Sequence, residues 1–361
     1  MTDRPLARES VRASVAYQPP LEGRASMVRL DFNESSPPGT LDQLVLERRC
    51  IEMYPEYDRA VAMLSVHWGI DRENLLLCNG SSEGIMLVSF CFTEPGRTVA
   101  VVARPTFALI PHYLRIAGAL VTEVDVDPAC FELPLGDLER ALEGGAGIVF
   151  LASPDNPTGA VVPVEWLEDA RRRFPGCLFV LDQAYAEYVA DDPCRMLHAA
   201  SAGSNLLVLR TFSKAWGLAG LRIGAVVGNG NLIGELSKLR TPYSVNAAAV
   251  GALCAVISDA PSAPRRGALE TARRRDRLVD QVRGLGLECR GSPANFVLIE
   301  LGGSHAARAF CDLCRSRALL VRDRSDCHGM EGVVRASVGP DRQNELLLDC
   351  IGEYLKAGGM T

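Results

Sequence analysis

The chain has 361 residues and a net charge of −6, and hydrophobic residues make up 48% of it against 23% that are charged. These values are typical of a folded globular protein of about two domains, and they disfavour a disordered chain or a basic nucleic-acid-binding protein. The longest run without a charge, Thr241 to Ser258, is shorter than the roughly 20 apolar residues of a membrane span. The charged N-terminus is unlike a signal peptide. We therefore expect a cytoplasmic protein without nucleic-acid or membrane partners.

The twelve cysteines are scattered along the chain, and several lie in apolar segments. This distribution favours reduced, buried thiols over a disulfide framework. One CxxC pair, Cys311 and Cys314, lies in a helical pattern without a second pair, and the five histidines form no HxH or HExxH spacing. We therefore predict ordinary helix packing for these two cysteines and no metal site.

From about residue 74, short apolar runs alternate with helical patterns. The runs are LLLCNG, TVAVVA, ALVTEVDV, GIVFLAS, CLFVLDQAY and NLLVLRTFS. Apolar strands separated by amphipathic helices predict an α/β fold with βαβ units and a mostly parallel, buried sheet. Ligands of such sheets bind beyond the carboxyl ends of the strands, so we expect the site in the loops that follow these runs.

The pattern changes after about residue 245. An Arg-rich helical stretch is followed by ANFVLIEL, another helix, LLVRD, VVRASVG and a final helix. This order predicts a smaller α+β domain, which we expect the N-terminal segment to complete. The predicted divisions are an N-terminal segment at 1–45, a large domain at 46–250 and a small C-terminal domain at 251–361.

Two loops carry groups suited to an anion. The loop TFSKAWGLAGLRIG contains two hydroxyls, an amine and a guanidinium, on Thr211, Ser213, Lys214 and Arg222. The segment NGSSEG opens a predicted helix with Gly80, Ser81 and Ser82. Free N–H groups and the helix dipole attract anions at such a position, and an ordinary N-cap is the alternative interpretation.

Two further loops present polar side chains after buried strands. Asp182 ends the apolar run CLFVL, and a carboxylate at the end of a buried strand needs a partner. In SPDNPTG the prolines and Gly159 favour a rigid turn that presents Asn156, with a plain tight turn as the alternative. Lys214 has a second use, because a desolvated amine forms Schiff bases with carbonyls.

Together these groups describe one cofactor, pyridoxal phosphate. Its phosphate requires hydroxyls and a guanidinium, its ring nitrogen requires an acidic partner in order to draw electrons, and its aldehyde requires a lysine. Lysine occurs at three positions only, 214, 238 and 356, which restricts the candidates for the amine.

The chain resembles the fold type I pyridoxal-phosphate enzymes and, within them, the histidinol-phosphate aminotransferase group of class I/II aminotransferases. The motifs that carry the resemblance are SPDNPTG, LDQAY, TFSKAWGLAGLRIG, NGSSEGI, MYPEY, ANFVL and VRASVG. The resemblance runs from about Tyr17 to the C-terminus. It implies a seven-stranded, mostly parallel sheet flanked by helices, a smaller α+β domain, and a homodimeric aminotransferase that acts on an amino donor and a 2-oxo acid.

The resemblance also implies a role for each cofactor-binding residue. Lys214 would bond the cofactor aldehyde and move the substrate proton, and Asp182 would pair with the ring nitrogen. Tyr185 and Asn156 would hydrogen-bond the ring oxygen, and Phe107 would stack on the ring. The residues expected near the phosphate are Gly80, Ser81, Ser82, Thr211, Ser213 and Arg222, with Tyr54 reaching the phosphate of the neighbouring subunit.

For the substrate, the resemblance implies that Arg335 forms a bidentate pair with a carboxylate. Tyr17 and Arg322 are further candidates for the substrate pocket. The leading substrate pair is histidinol phosphate with 2-oxoglutarate, and an aromatic or specialised-metabolite amino acid is the second candidate.

Two positions depart from the family pattern. Gln183 stands where a glutamate commonly follows the aspartate, and the segment Asn33–Gly39 is atypical, which puts the substrate in doubt rather than the cofactor. A decarboxylase of the threonine-phosphate type would use the same scaffold. A regulator with an aminotransferase-like domain is disfavoured, because the short stretch that precedes MYPEY contains no helix-turn-helix pattern.

Overall fold

The computed structural model describes residues 7–17, 23–36 and 48–358. Within these ranges the strands are β1 (Val28–Arg29), β2 (Leu75–Cys78), β3 (Val99–Arg104), β4 (Leu120–Asp125), β5 (Ile148–Ala152), β6 (Leu178–Asp182), β7 (Leu206–Thr211), β8 (Gly224–Val227), β9 (Cys289–Gly291), β10 (Phe296–Glu300), β11 (Leu319–Leu320), β12 (Arg322–Asp323) and β13 (Val333–Ser337).

The α-helices of the same ranges are α1 (Glu9–Arg12), α2 (Arg49–Glu52), α3 (Asp58–Trp68), α4 (Gly80–Phe92), α5 (Leu109–Ala117), α6 (Leu135–Glu143), α7 (Val164–Arg173), α8 (Arg195–Ala202), α9 (Gly230–Leu239), α10 (Ala247–Asp259), α11 (Ala263–Gly284), α12 (Ser304–Ser316) and α13 (Asp341–Lys356). Short 3-10 helices cover Arg72–Asn74, Ala186–Tyr188 and Ala219–Leu221.

Seven strands form the large sheet, in the order β2-β8-β7-β6-β5-β3-β4. Strand β8 is antiparallel to both of its neighbours, and the remaining pairs are parallel. All strands except β8 therefore run in one direction, and their carboxyl ends share one edge of the sheet. The predicted fold class, a mostly parallel sheet flanked by helices, is confirmed. Strand β8 is not among the strands predicted from the sequence, because its apolar run is short and lies between glycines.

Helices cover both faces of this sheet. On one face, α4 and α5 pack Ile85, Leu87, Ile110 and Leu114 against the strands. On the other, α3, α6, α7 and α10 contribute Leu64, Leu138, Leu167 and Leu253 to a second apolar core. Strands β5 and β6 are buried along their whole length. Burial on both faces explains why these strands are apolar throughout rather than alternating.

The C-terminal part of the chain forms a four-stranded antiparallel sheet in the order β12-β13-β10-β9. Its own apolar core includes Phe310 of α12 and Ile351 of α13. Strand β1 pairs in parallel with β11, so the N-terminal segment joins this part of the fold. The domain divisions at 45 and 250 stay predictions, and the first lies outside the described residues, as do 1–6 and 18–22.

Among the described helices, no single one is long and apolar enough to cross a bilayer. Helices α10 and α11 reach that length only as a pair, and they are bent by 83° at the break between them.

Strand β8 passes very close to the start of α4. A Cβ atom on Gly224 would lie 2.7 Å from the carbonyl oxygen of Arg210 and 2.8 Å from the backbone nitrogen of Ser81. Backbone atoms cannot move aside cheaply, so only glycine permits this approach. The approach fixes the N-terminus of α4 against the end of β7, where the candidate site lies.

We predict that Gly224→Ala destabilises the chain by about 1–3 kcal/mol, the usual cost of overpacking. The matched control is Gly251→Ala on the exposed side of α10, where a Cβ would meet nothing within 4 Å. That variant should gain up to about 1 kcal/mol from helix propensity. Urea unfolding measures both, and equal stabilities of the two variants would contradict the prediction.

Candidate active site

The predicted site residues converge at the carboxyl edge of the large sheet. Asp182 ends β6, and its neighbours in register are Ala152 at the end of β5 and Leu209 of β7. Thr211 ends β7, and the loop after β5 begins at Ser153. The strand order therefore brings together the LDQAY, SPDNPTG and TFSKAWGLAGLRIG motifs, as the sequence predicts.

Lys214 lies in the loop after β7, with its side chain half-buried. Its Nζ donates a hydrogen bond of 2.7 Å to the carbonyl oxygen of Phe32 and lies 5.7 Å from the ring centre of Tyr185. Desolvation by burial and, after it, the positive charge of Arg335 together lower the pKa of Lys214 to about 7. The amine is therefore largely uncharged above neutral pH, which makes it a nucleophile and a proton acceptor.

Asp182 is 3% exposed. Its Oδ1 accepts a 3.1 Å hydrogen bond from the backbone nitrogen of Ala184. Burial raises the pKa of Asp182 to about 7, and the charges of Lys214 and Arg210 counteract that rise. A carboxylate buried in this way is stabilised by any cation that binds beside it.

A group of donors surrounds the N-terminus of α4. Gly80 has a φ of 70°, and a Cβ there would lie 2.5 Å from Nη2 of Arg222. Arg222 also donates to Oγ of Ser213 at 3.2 Å, and Oγ1 of Thr211 donates to the same oxygen at 3.0 Å. The guanidinium, the hydroxyls and the start of the helix therefore form one cradle suited to an anion. Ser81, buried, and Ser82, half-buried, lie in the first turn of α4.

Arg335 lies on β13 with its side chain turned into the site, and it is 4% exposed. Its guanidinium donates to Oδ1 of Asn156 and to the carbonyl oxygen of Asp31. Desolvation by burial, with a smaller contribution from the positive charges of Arg324 and Arg322, lowers the pKa of Arg335 to about 10. Arg322 is the residue directly opposite Arg335 in the antiparallel pair of β12 and β13, so both side chains lie on one face of the sheet.

Asn33 is a site residue that the sequence analysis does not single out. Its Nδ2 donates to the hydroxyl of Tyr185 at 2.9 Å, and its Oδ1 accepts from Ser337 at 3.0 Å. Its φ of 54° lies in the left-handed region, which asparagine tolerates better than most residues. The only signal in the sequence is its place in the atypical segment Asn33–Gly39, of which residues 37–39 lie outside the described ranges.

Three residues that the sequence places in the site make no side-chain hydrogen bond within the described part of the chain. Tyr54 is 76% exposed and stacks on Tyr243 with ring centres 4.4 Å apart. Tyr17 is 46% exposed. Phe107 is half-buried ahead of α5 and packs against the apolar core on that face of the sheet. The single chain thus assembles most of the predicted site and leaves Tyr17 and Tyr54 on its surface.

The site fits the cofactor that the sequence predicts. Asp182 is a buried carboxylate that would pair with a cationic ring nitrogen, and the cradle at Gly80 and Arg222 would hold a phosphate. Lys214 supplies a buried amine of lowered pKa to bond an aldehyde. No described cluster of His, Cys, Asp or Glu residues is suited to a metal ion.

We predict that, in the chain without cofactor, the reaction of Lys214 with an amine-specific reagent is half-maximal near pH 7. A lysine in water titrates near about 10.4. Peptide mass spectrometry measures the labelling, and exposed Lys238 in the same digest provides the reference for reagent activity. Labelling of Lys214 that still rises steeply between pH 8 and pH 10 would contradict the burial of its amine.

Comparison with known proteins identifies the family. The chain matches the family described as Aminotransferase class I and II over residues 50–351. It is 35% identical to histidinol-phosphate aminotransferase 1 of Thiobacillus denitrificans, across 82% of this chain and 76% of that relative. It is 33% identical to the histidinol-phosphate aminotransferase of Roseiflexus castenholzii, across 96% of this chain and 98% of that relative.

Two solved structures share the fold. Histidinol-phosphate aminotransferase from Sinorhizobium meliloti, in complex with pyridoxal-5'-phosphate, superposes with a TM-score of 0.84 at 24% identity and covers 97% of both chains. L-threonine-O-3-phosphate decarboxylase from Porphyromonas gingivalis superposes with a TM-score of 0.77 at 24% identity, across 91% of this chain and 100% of that one. The sequence matches and the site together show that the chain belongs to the class I and II aminotransferases and is a pyridoxal-phosphate-dependent aminotransferase.

Proposed function

We propose that the protein transfers the amino group of histidinol phosphate, or of a closely related phosphorylated amine, to 2-oxoglutarate. The observation that carries the proposal is the pair of arginines at the site, Arg335 and Arg322, side by side on one face of the small sheet. Two guanidiniums suit the phosphate of one substrate and the carboxylates of the other. The names of the relatives at 35% and 33% identity support the same substrate.

The buried position of Arg335 supports its role in substrate binding. Its guanidinium is bonded to an amide oxygen and a carbonyl oxygen rather than to a carboxylate. Its positive charge is therefore available to an anionic substrate that displaces or supplements these neutral partners. Its Nε has no hydrogen-bond partner among the described residues, which leaves a further donor.

Pyridoxal phosphate, when bound, supplies the electron sink that makes the proton on the substrate α-carbon acidic. Nζ of Lys214 takes that proton and returns it during the transfer, because an amine with a pKa of about 7 is free to do both near neutral pH. Asp182 would keep the ring nitrogen protonated, and the hydroxyl of Tyr185 and Nδ2 of Asn156 would donate hydrogen bonds to the ring oxygen, since Oδ1 of Asn156 already accepts from Arg335. The residues that would hold the phosphate are Ser81, Ser82, Thr211, Ser213 and Arg222. Gly80 leaves room for Arg222, and Phe107 would stack on the ring.

We also propose that the active form is a homodimer, in which Tyr54 binds the phosphate in the neighbouring subunit. Exposed apolar side chains around Tyr54 support this: Ile51 is 73% exposed, Met53 60% and Tyr243 53%. Exposed groups of this kind mark interfaces. We include Tyr17 in this proposal as a residue of the substrate pocket. A cytoplasmic location stays a prediction of the sequence.

The shared site predicts that Tyr54→Phe weakens cofactor binding by about 1–3 kcal/mol, the range for losing a hydrogen bond to a charged group. Tyr243→Phe is the matched control, because it removes a hydroxyl from the other ring of the same stacked pair and should leave cofactor affinity unchanged. Cofactor titration measures affinity, and sedimentation measures the oligomeric state. Full activity in a chain that sediments as a monomer would contradict the proposal.

The proposed substrate predicts a large preference among amino donors. Histidinol phosphate should convert bound pyridoxal phosphate to pyridoxamine phosphate at least about tenfold more efficiently than histidinol or phenylalanine, because the lost anion contact is charge-assisted. The spectral change of the cofactor measures this conversion. Arg335→Lys keeps the charge but loses the two-point geometry, so it should raise KM for histidinol phosphate and glutamate and leave the cofactor spectrum unchanged.

Two outcomes of this screen would contradict the proposal. Equal rates with histidinol phosphate and an aromatic amino acid would assign the protein to a different substrate class. Release of carbon dioxide from a donor that carries a carboxylate, such as phenylalanine, without an oxo product would indicate a decarboxylase.

A further inference from the structure

One buried carboxylate makes two hydrogen bonds beneath the candidate site. Oε1 of Glu187 accepts from Nε1 of Trp216 at 2.9 Å and from Nη2 of Arg210. Glu187 is 5% exposed, Arg210 2% and Trp216 2%. None of these three residues belongs to the set that the resemblance assigns to the cofactor or the substrate.

The two donors lie at opposite ends of the segment that carries Lys214. Arg210 directly precedes Thr211 at the end of β7, and Trp216 follows Lys214 by two positions. A single oxygen atom of Glu187 therefore joins the residue before this segment to the residue after it. The segment between them contains Thr211 and Ser213 of the phosphate cradle as well as Lys214.

Aromatic packing makes this arrangement rigid. The indole of Trp216 meets the ring of Phe212 edge to face with centres 5.0 Å apart, and Phe212 stacks on Trp68 at 5.9 Å. The guanidinium of Arg210 lies 5.6 Å from the ring centre of Trp68 and donates to the carbonyl oxygen of Pro193 at 2.8 Å. Such edge-to-face and cation–π pairs favour one arrangement of the rings.

Glu187 is itself held from the opposite side. The guanidinium of Arg265, on α11, donates to the carbonyl oxygens of Glu187, Val189 and Ala190. Glu187 also follows Tyr185, the last residue of the LDQAY motif that contains Asp182, by two positions. The carboxylate thus connects the segment of Asp182 and Tyr185 to the segment of Lys214.

We propose that Glu187 is a positioning residue, which through Trp216 and Arg210 fixes the Nζ of Lys214 relative to Asp182 and Tyr185. Proton transfer by a lysine depends on the distance and angle between the amine and the reacting carbon, and a displacement of about 1 Å costs up to about a hundredfold in rate. A buried ion pair adds little net stability by itself, so a role in geometry accounts for its position better than a role in stability. The inference rests on the role proposed above for Lys214.

The test uses two tryptophan variants of the holoenzyme. Trp216→Phe removes the indole donor and keeps the ring, while the ion pair of Glu187 with Arg210 remains. Trp166→Phe is the matched control. Trp166 lies on α7, outside the site, and its Nε1 donates to Oε1 of Glu139 on α6 at 3.1 Å. Both variants lose one indole-to-carboxylate hydrogen bond, and the larger decrease of Tm is expected for Trp216→Phe, because Trp216 is 2% exposed and Trp166 is half-buried.

Trp216→Phe should lower kcat of the amino-donor half-reaction by about tenfold or more, with KM within about twofold of wild type, whereas Trp166→Phe should retain normal kcat. The near-ultraviolet circular dichroism of the bound cofactor, which reports the geometry of its attachment and needs no turnover, should change only in Trp216→Phe. Retention of cofactor during dialysis should be the same in both variants.

Glu187→Gln keeps an oxygen acceptor for Trp216 and removes the charge opposite Arg210, and it should also lower kcat and alter the dichroism. It provides the test if Trp216→Phe does not fold. Normal kcat and dichroism in either folded variant would overturn the proposal. A loss of kcat that excess cofactor restores would also overturn it, since the pair would then serve only cofactor retention. Failure of the substrate proposal is distinct, because it would appear as inactivity of the wild type with histidinol phosphate.

Discussion

The burial of ionisable groups between the two sheets is the constraint on which the site depends. Asp182 and Arg335 are buried and Lys214 is half-buried, and desolvation moves the pKa of each toward the neutral form. Asp155 belongs to the same region. Burial raises its pKa to about 7 against the hydrogen bonds it accepts from Thr106 and Thr158. Burying ionisable groups in this way costs free energy in the chain without ligands. Such groups are suited to binding charged ligands.

The N-terminal segment is the element that closes this region. Phe32 accepts from Lys214 on the large-sheet side, and Asp31 accepts from Arg335 on the small-sheet side. Asn295 donates to the carbonyl oxygen of Asn33 at 3.1 Å, which fixes the segment to the start of β10. Asp31 is in turn paired with Arg24 at 2.7 Å. Backbone groups of a segment far away in sequence thus hold the two side chains that the proposed reaction needs most.

The residues of the proposed site are divided between the two sheets. The cradle for the phosphate, Asp182 and Lys214 belong to the large sheet, whereas Arg322 and Arg335 belong to the small one. The proposed substrate would contact residues of both sheets, so on this proposal the distance between the sheets would limit which substrates react. Contacts across the gap, such as Arg265 with the carbonyl oxygens near Glu187 and Arg290 with the ring of Phe131, fix that distance.

The sequence by itself determined the elements whose signals are local. The apolar runs of β2 to β7 are readable because burial on both faces requires them, and the motifs around Lys214 and Asp182 are readable because each lies directly after such a run. The fold class and the cofactor followed from these local patterns, and the family followed from the resemblance of the motifs to those of a known family.

Only the tertiary structure decided which distant residues meet. Strand β8 is antiparallel because the chain returns between β2 and β7, and no short apolar run contains that information. The register that sets Arg322 opposite Arg335 places both on one face, and a shift by one residue would separate them. The contacts of Asn33 with Tyr185 and of Glu187 with Trp216 join segments through side chains whose types are common everywhere in the sequence. The hydrophobic periodicity of a segment indicates which of its faces is buried and which is exposed to water. These contacts instead depend on how segments far apart in the chain pack against one another.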